Sequence, residues 1–475
     1  MKKSILFFAI LFLCDYGFSQ PAGYVNPKPT ANQLVWQNDD FYLFAHFGPN
    51  TFTGLEWGKG TENADVFNPE HLDCDQWCRI AKAAGAVGII ITAKHHDGFC
   101  LWPSKFSKHT VKESKWRNGK GDVLKELSGA CKKYGLKFGV YLSPWDRNHP
   151  AYGTSEYNDV FVGMLKEIFE NYGPVWELWW DGANGEGPNG EKQVYDFARY
   201  ERVVRKLSPN TVIFSDVGPD ARWCGNEKGF IGTTNWNTLN TAGFTPGAGA
   251  PPADTLNTGN IYGKHWIPAE CDVSIRPGWF YHKREDSLVK TPDQLFEIYL
   301  NSVGRGANLL LNVPPDTDGL ISSFDSAALM RFRKLRDESF RNNISKAGTG
   351  YFVSGRKKIV DKKINDGNSL TASSIARPSS QSLSIHFATP QNINCIILKE
   401  NLANGQNCVK FKILISGKEK QFERVIEGTT IGHERILTFP ETEAENISLK
   451  IIRQKGDTEI SEIGAYLISP ELAEK

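Results

Sequence analysis

The chain is 475 residues long, and its 55 Lys and Arg stand against 54 Asp and Glu, a formal net charge of +1. That length exceeds one typical domain and supplies ample material for a sizeable core. The balanced charge excludes a partner held by bulk electrostatics, so neither nucleic acid nor an anionic membrane surface is expected.

The first residues read as an export signal over 1–19. Lys2 and Lys3 supply the charge, Ile5–Leu13 the apolar run, and Gly17 and Ser19 the small residues before a cut at Gln20. The run is too short to span a membrane, and no other long apolar stretch follows, so no transmembrane segment is expected. Cys14 follows Leu-Phe-Leu, a poor lipoprotein box, so a soluble exported protein (periplasmic or secreted) is preferred over lipid anchoring through Cys14. Nine cysteines become eight after the cut. They show no zinc-ligand clustering and read as small buried apolar residues.

After a Pro/Asn-rich lead (Pro21–Asn32), strand-like and helical patterns alternate. Phe41–Phe47 reads as a strand and Asp75–Ala84 as a helix. Ala86–Lys94 is a β-branched strand, Asp122–Tyr134 a helix closed by Gly135, and Lys137–Leu142 a strand. Tyr157–Tyr172 is a helix, Val175–Gly182 a strand ending in Trp-Trp-Asp-Gly, and Gln193–Leu207 a helix. Thr211–Val217 is a further strand. Residues 218–265 are dense in Gly, Thr and Asn and read as a long active-site insertion. The strand Trp266–Cys271 restores order. A helix begins at Thr291, where Thr-Pro-Asp-Gln offers an N-cap, a Pro at the first position and a capping-box Gln294. Gly306–Val313 is the last strand of this region and Ser323–Asn342 its last helix. Continuous apolar strands separated by amphipathic helices mean a parallel sheet covered by helices. Seven or eight such units suit a (β/α)8, TIM-like barrel over residues 20–346, and no Gly-rich phosphate loop supports a dinucleotide fold. From about Gly348 the texture changes to short alternating runs (Ser382–Phe387, Ile393–Leu398, Val409–Ile415, Ile447–Ile452, Ile463–Ile468). They predict an all-β sandwich over 347–475.

All 13 Trp lie between Trp36 and Trp279, which points to chemistry in the first domain. Several predicted strand ends share one character: His46 with Glu56 and Trp57 beyond it, His95-His96-Asp97, Tyr141 with Trp145, and Trp179-Trp180-Asp181. Asp181 alone could be a turn residue before Gly182. The constellation changes that reading. Imidazoles donate and accept hydrogen bonds, carboxylates accept from hydroxyls, and indoles cover C–H faces, which together describe a sugar site. A zinc site built from His46, His95, His96 and Asp181 is the second reading; it requires the strand to end before His95, because adjacent strand residues point apart. Glycoside hydrolysis needs two carboxyls. Asp181 is the first, and Asp216, Asp220, Glu227 and Glu270 are candidates for the second. Glu227 follows Trp223 in a loop after the fifth strand, and Glu270 lies at the end of Trp266–Cys271. Spacing does not choose between them.

His-Phe-Gly at 46–48, Glu-Trp-Gly at 56–58, Lys-His-His-Asp-Gly-Phe at 94–99, Trp-Trp-Asp-Gly at 179–182 and Ser-Ile-Arg-Pro-Gly-Trp-Phe-Tyr at 274–281 resemble the α-L-fucosidases of glycoside hydrolase family 29. The resemblance covers about residues 30–345, and a following β-sandwich also suits that family. It implies a retaining double displacement with Asp181 as nucleophile. It implies fucose binding by His46, Glu56, Trp57, His95, His96, Tyr141 and Trp179, with Arg276 and Trp279 lining the same pocket. The context Gly-Asn-Glu-Lys-Gly resembles the subfamily acting on α-1,3 and α-1,4 linkages of Lewis-type glycans, which implies Glu227 as acid/base, with Glu270 the alternative. The expected partner is a fucosylated oligosaccharide, and no metal or cofactor is expected. Broad aryl-fucosidase specificity, a zinc-dependent hydrolase and a non-catalytic sugar-binding protein are the alternatives.

Overall fold

A computed structural model describes residues 20–377, 380–418 and 422–473; the predicted export segment and Cys14 lie outside the described residues. Eight parallel strands close into a barrel in chain order: β1 (Phe41–Ala45), β2 (Gly88–Lys94), β3 (Lys137–Leu142), β4 (Glu177–Trp179), β5 (Val212–Ser215), β6 (Ala221–Trp223), β7 (Ala269–Ser274) and β8 (Asn308–Asn312). β8 pairs back onto β1 from Phe41↔Leu309 to Phe44↔Asn312 and completes the ring.

The pleat sorts each strand into two layers. Phe41, Leu43, Ile89, Ile91, Val140, Leu178, Leu309 and Leu311 join the large apolar core between strands and helices. Tyr42, Phe44, Ile90, Tyr141, Trp179, Phe214 and Leu310 form a separate cluster inside the barrel. The helices have clear local causes. In α1 (Ala31–Gln37), Thr30 and Gln33 form a reciprocal capping box, and Trp36 is buried. α2 (Cys74–Ala84) is capped by Asp73, ends at left-handed Gly85, and buries Cys74, Trp77, Cys78, Ala81 and Ala84 on one face. α3 (Val123–Tyr134), α4 (Glu156–Asn171), α5 (Phe197–Leu207), α6 (Pro292–Asn301) and α7 (Ser323–Phe340) complete the wrapping. α6 begins on the predicted Thr291–Gln294 capping box.

Three expectations need correction. The Trp-Trp-Asp strand is only three residues long, so Trp180 and Asp181 lie just past it. α5 starts at Phe197 rather than Gln193, because Asp196 caps it by accepting from the Arg199 N–H. The 218–265 stretch conceals a barrel strand: β5 passes to β6 through 216–220 with no helix between. Glu227 therefore follows the sixth strand, not the fifth. The middle of that stretch also packs on the C-terminal domain. Asn235 N–H donates to Thr430 Oγ1 (2.9 Å), Asn237 N–H to Gln406 Oε1 (2.8 Å), and Gln406 Nε2 back to the Asn235 carbonyl (2.9 Å).

The C-terminal domain is antiparallel and built on two 20-residue strands, β12 (Gln381–Glu400) and β15 (Arg435–Gln454). They pair along both halves, with an irregularity between His386 and Gln391. The runs predicted as two strands at 382–387 and 393–398 are thus one bent strand. Its first half neighbours β9 (Thr349–Ser354), which carries β10 (Lys357–Val360). Its second half neighbours β16 (Thr458–Tyr466), which pairs β11 (Ser373–Ile375). β13 (Cys408–Ser416) and β14 (Phe422–Gly428) extend the other side. Leu383, Ile396, Ile413, Leu449 and Ile463 fill the core between the folded halves.

One buried ion pair ties the rim together. Lys94, the last residue of β2, is fully buried, and its ammonium lies 3.2 Å from Asp146, in the loop after β3. Lys94 also donates to Tyr157 Oη (3.2 Å) and the Trp145 carbonyl (3.3 Å), while Asp146 accepts the Asn148 and His149 N–H groups. Burial alone would raise the Asp146 carboxyl; Lys94 and the two backbone donors bring it below the usual range. Lys94→Met leaves that carboxylate buried without its cation, a loss of about 3–5 kcal/mol on the measured scale for broken buried pairs. Urea denaturation of the variant checks this, and a loss near zero would mean that Asp146 is hydrated when unpaired.

Candidate active site

The inward alternation of β1 carries from Tyr42 and Phe44 to His46. His46 Nδ1 lies 2.9 Å from Asn312 Oδ1, at the end of β8. The amide cannot be reversed, because Asn312 Nδ2 donates to the Trp279 carbonyl (2.7 Å) and to Ser274 Oγ (2.9 Å). His46 Nδ1 therefore carries the proton, and Nε2 is the acceptor of the neutral ring. Burial pushes the imidazole down to about 3, Asn312 opposing and His96 adding to the fall.

β2 ends at Lys94, so His95 and His96 lie beyond the strand and share one side, with ring centroids 4.2 Å apart. His95 stacks on Tyr141 (5.7 Å, 17°), and its buried Nδ1 lacks a protein partner. His96 Nδ1 lies 2.8 Å from Ser143 Oγ, whose one proton goes to the Trp145 carbonyl (2.8 Å). His96 thus donates from Nδ1 and presents Nε2 as an acceptor, 3.8 Å from Asp181 Oδ2. Burial lowers both rings, His95 far below its ordinary value and His96 to about 4, where the Asp181 charge works in the opposite direction. Two neutral acceptors with defined tautomers suit hydroxyl groups. Among the described residues, no group of three or more His, Cys, Asp or Glu side chains is placed to hold a metal ion.

Asp181 follows β4. Its Oδ2 accepts from the Tyr141 hydroxyl (3.1 Å) and its Oδ1 from the Ala183 N–H (2.7 Å). Trp179 points into the barrel between Phe214 (4.2 Å, 14°) and Tyr141 (5.3 Å, 29°). Trp180 points the other way, against Phe197 and Tyr200. A cavity of about 300 Å³ opens beside Asp181, lined also by Trp179, Phe214, Asp216, Trp223, Glu227 and Asp272. Glu227 stands at its open edge and accepts from Trp279 Nε1 (3.3 Å). Loss of hydration against the cavity wall raises the Glu227 carboxyl, the indole bond counters, and the Asp181 charge adds to the rise. Asp216 is pushed up to about 7 by burial and by Asp181. Asp272 is raised further by burial, and its Oδ1 accepts from Trp223 Nε1 (2.9 Å).

Glu56 lies where the 276–282 loop returns. It accepts from the Trp279 N–H (2.8 Å), and His282 Nε2 lies 2.7 Å away. Gly278 permits that approach, since a Cβ there would stand 2.6 Å from Glu56 Oε1. Trp279 covers His46 (5.0 Å), and Trp57, 56% exposed, stands at the rim against His96 and Trp145.

The structure thus brings together His46, Glu56, Trp57, His95, His96, Tyr141, Trp179, Asp181, Glu227 and Trp279. It separates three residues. Glu270 is the second residue of β7 rather than a strand end; it is fully buried, bonded to Tyr42 and Trp179 Nε1 (2.8 Å). Arg276 does not line the cavity: Nε bonds Asp325 (2.9 Å), Nη2 bonds Asp286 (2.9 Å) and Ser322 (2.9 Å), and Nη1 reaches the His282 carbonyl. Its role is to anchor the loop that carries Trp279 and His282 onto the start of α7. Asp220 bonds the Ile213 N–H and Arg205 at the opposite end of β5. Asn312, Ser143, His282 and Asp272 escaped the sequence reading. Asn312 carried the same signal as His46, a polar residue ending an apolar strand (Leu-Leu-Leu-Asn).

The profile of the alpha-L-fucosidase family matches residues 31–334. Alpha-L-fucosidase 1 of Arabidopsis thaliana is 41% identical over 461 residues, covering 93% of this chain and 88% of the relative. The crystal structure of a glycoside hydrolase 29 family member from a rumen bacterium is 38% identical, with a TM-score of 0.81 over 94% of this chain and 78% of the other. A Ruminococcus gnavus GH29 fucosidase in complex with fucose is 28% identical, with a TM-score of 0.85 over 96% and 98%. The chain belongs to the α-L-fucosidases of glycoside hydrolase family 29, and it is a glycosidase.

Proposed function

We propose that the chain is a retaining exo-α-L-fucosidase in which Asp181 is the nucleophile and Glu227 the acid/base. One observation carries the reading. Asp181, held by two donated hydrogen bonds, and Glu227, with its carboxyl raised, line one cavity at the end of the barrel where catalytic residues of this fold sit. Asp181 attacks C1 of the terminal fucose while Glu227 delivers its proton to the leaving oxygen. The glycosyl–Asp ester is then opened by water, whose proton Glu227 accepts. Retention expects the two carboxyl groups about 5–5.5 Å apart. Acceptor nitrogens of His46 and His96, with His95, Glu56 and Tyr141, receive the sugar hydroxyls, and Trp57, Trp179 and Trp279 cover its C–H faces. Glu270 is unsuited to proton transfer to a leaving group, because it is sealed inside the barrel.

The preferred substrates are Lewis-type glycans with α-1,3- or α-1,4-linked fucose, on the likeness of the 225–229 loop to the linkage-restricted subfamily. The expected setting is outside the cytoplasm, on the N-terminal signal pattern.

Azide separates the two roles. With Asp181→Gly, hydrolysis is lost and azide restores turnover, giving β-L-fucosyl azide. With Glu227→Ala, azide yields the α-anomer by attacking the ester from the face that water uses. The reverse assignment of products would exchange the roles, and β-fucose as the first product of the wild type would sink retention.

The acid must hold its proton for the first step, so the raised Glu227 carboxyl extends activity upward in pH, and activity falls as pH rises through its titration. Glu227→Gln removes that basic limb. It lowers kcat/KM on oligosaccharides on the order of 10²–10⁴-fold, the usual worth of a general acid, and far less on an aryl fucoside whose leaving group needs no proton. A basic limb that survives in Glu227→Gln would assign it to another group, Asp216 first.

Parallel assays on a Lewis-type trisaccharide and 2′-fucosyllactose test the linkage. Release from the Lewis sugar alone is expected; equal release from both would leave a broad-specificity fucosidase.

A further inference from the structure

Glu177 and Glu270 are fully buried carboxyls that the mechanism above does not use. They stand on β4 and β7, and neither is exposed to solvent. α1 supplies Trp36, whose Nε1 donates to Glu177 Oε2 (2.8 Å). Glu270 accepts from the Tyr42 hydroxyl through Oε2 and from Trp179 Nε1 through Oε1 (2.8 Å). These partners are all neutral. Two carboxyls that sense one another in a sealed interior cannot both be ionised. Burial raises both. Glu270's charge raises Glu177 well above the carboxylate range, whereas bonds from Glu177, Tyr42 and Trp179 oppose the rise at Glu270.

We propose that Glu270 is a positioning residue for the nucleophile. The path is short and continuous. Glu270 fixes the indole N–H of Trp179, the indole stacks on Tyr141 (5.3 Å, 29°), and the Tyr141 hydroxyl donates to Asp181 (3.1 Å). Phe214 holds the plane of the indole (4.2 Å, 14°) but leaves it free to rotate within that plane, and the Glu270 bond fixes the rotation.

The inference rests on Asp181 as nucleophile, and it predicts an asymmetry that two merely structural buried carboxyls would not show. Glu177→Gln keeps an acceptor for Trp36 and leaves the path from Glu270 to Asp181 intact, so kcat stays within about twofold of wild type. Glu270→Gln weakens the acceptor that Trp179 needs, so kcat falls about tenfold while KM, set by the ring face that Phe214 still holds, moves less than about threefold. In a Trp179→Phe background, which has no indole N–H, Glu270→Gln then has no further effect. Steady-state kinetics on the fucoside hydrolysed fastest, with thermal melting of each variant, read all three.

Equal losses in Glu177→Gln and Glu270→Gln, wild-type kcat in Glu270→Gln, or additive losses with Trp179→Phe would each overturn the proposal. If Glu270→Gln does not fold, Trp179→Phe removes the same bond from the other side, and an unchanged kcat there overturns it as well. Azide rescue of Asp181→Gly distinguishes the two readings. Rescue beside a wild-type-like Glu270→Gln overturns only the positioning role. Failure of rescue, with activity left in Asp181→Gly, overturns the nucleophile assignment beneath it.

Discussion

Closing eight strands into a barrel takes every inward side chain out of bulk water, and in this chain many of them are polar. Desolvation is therefore the constraint on which the rest depends. Each inward group must either lose its charge or find donors and acceptors that replace water. The imidazoles take the first course: His46, His95 and His96 are all driven toward the neutral form, chiefly by burial. Lys94 and Asp146 take the second, as a fully buried pair whose remaining valences are filled by Tyr157 and backbone groups. The result is a stack of bonded polar side chains. Trp36 bonds Glu177 at the entry end, and Glu270 leads through Trp179 and Tyr141 to Asp181 at the rim.

That stack explains which parts of the structure were legible in the sequence. The inner and outer layers follow strand parity, so residues 42, 44 and 46 point one way and 41, 43 and 45 the other. An apolar run long enough to set the parity also sets the side of the polar residue near its end, although Asn312, at the end of Leu-Leu-Leu, was passed over. His46 and Tyr141 are the clear cases. The helix start at Thr291 was equally visible because capping is a local interaction, whereas the helix read from Asp75 begins at Cys74, capped by Asp73. The failures have a common physical origin. β6 is Ala-Arg-Trp, and a charged residue at the centre of three reads as a loop. Arg222 is nevertheless fully buried, because the Leu256 and Ile267 carbonyls and Asn235 supply its acceptors from distant parts of the chain. β7 was set too early because its register starts after Pro268. That shift moves Glu270 from the rim to the interior. Arg276 was assigned to the pocket by the resemblance of Ser-Ile-Arg-Pro-Gly-Trp-Phe-Tyr, whereas its acids, Asp286 and Asp325, come from elements farther along the chain.

The C-terminal domain obeys the same rule with less polar content. Its two long strands alternate strictly, so its apolar runs were visible, but the bend joining two of them is an irregularity with no apolar signal of its own. Part of its contact with the barrel is made on residues 233–237, whose backbone groups bond Gln406, Thr430 and Arg435, and by His433 against Asp40; Ile397, Ile436 and Ile468 also join the core behind the barrel. These bonds hold the segment that leaves β6 and Glu227 and returns to β7. The sandwich therefore braces one wall of the cavity from outside, and it does so without contributing a side chain to the cavity lining.

Within the pocket, the number of donors each carboxyl receives sorts four otherwise similar groups. Asp181 receives a hydroxyl and a backbone N–H on different oxygens, and the two bonds fix the orientation of its carboxyl at the cavity wall. Asp272 receives one indole and lies deeper, so burial prevails and the acid form is favoured. Asp216 has a buried oxygen with no partner and the charge of Asp181 nearby, and both keep its proton on. Glu227 has one indole donor and an open side toward solvent. It is the most exposed of the four, and it carries its raised carboxyl at the cavity mouth. An acid that must give up its proton and regain one from water in each cycle needs that combination, which a deeper carboxyl with a larger shift lacks. Depth below the rim, more than the size of any shift, therefore separates the proposed acid/base from the carboxyls that only shape the site.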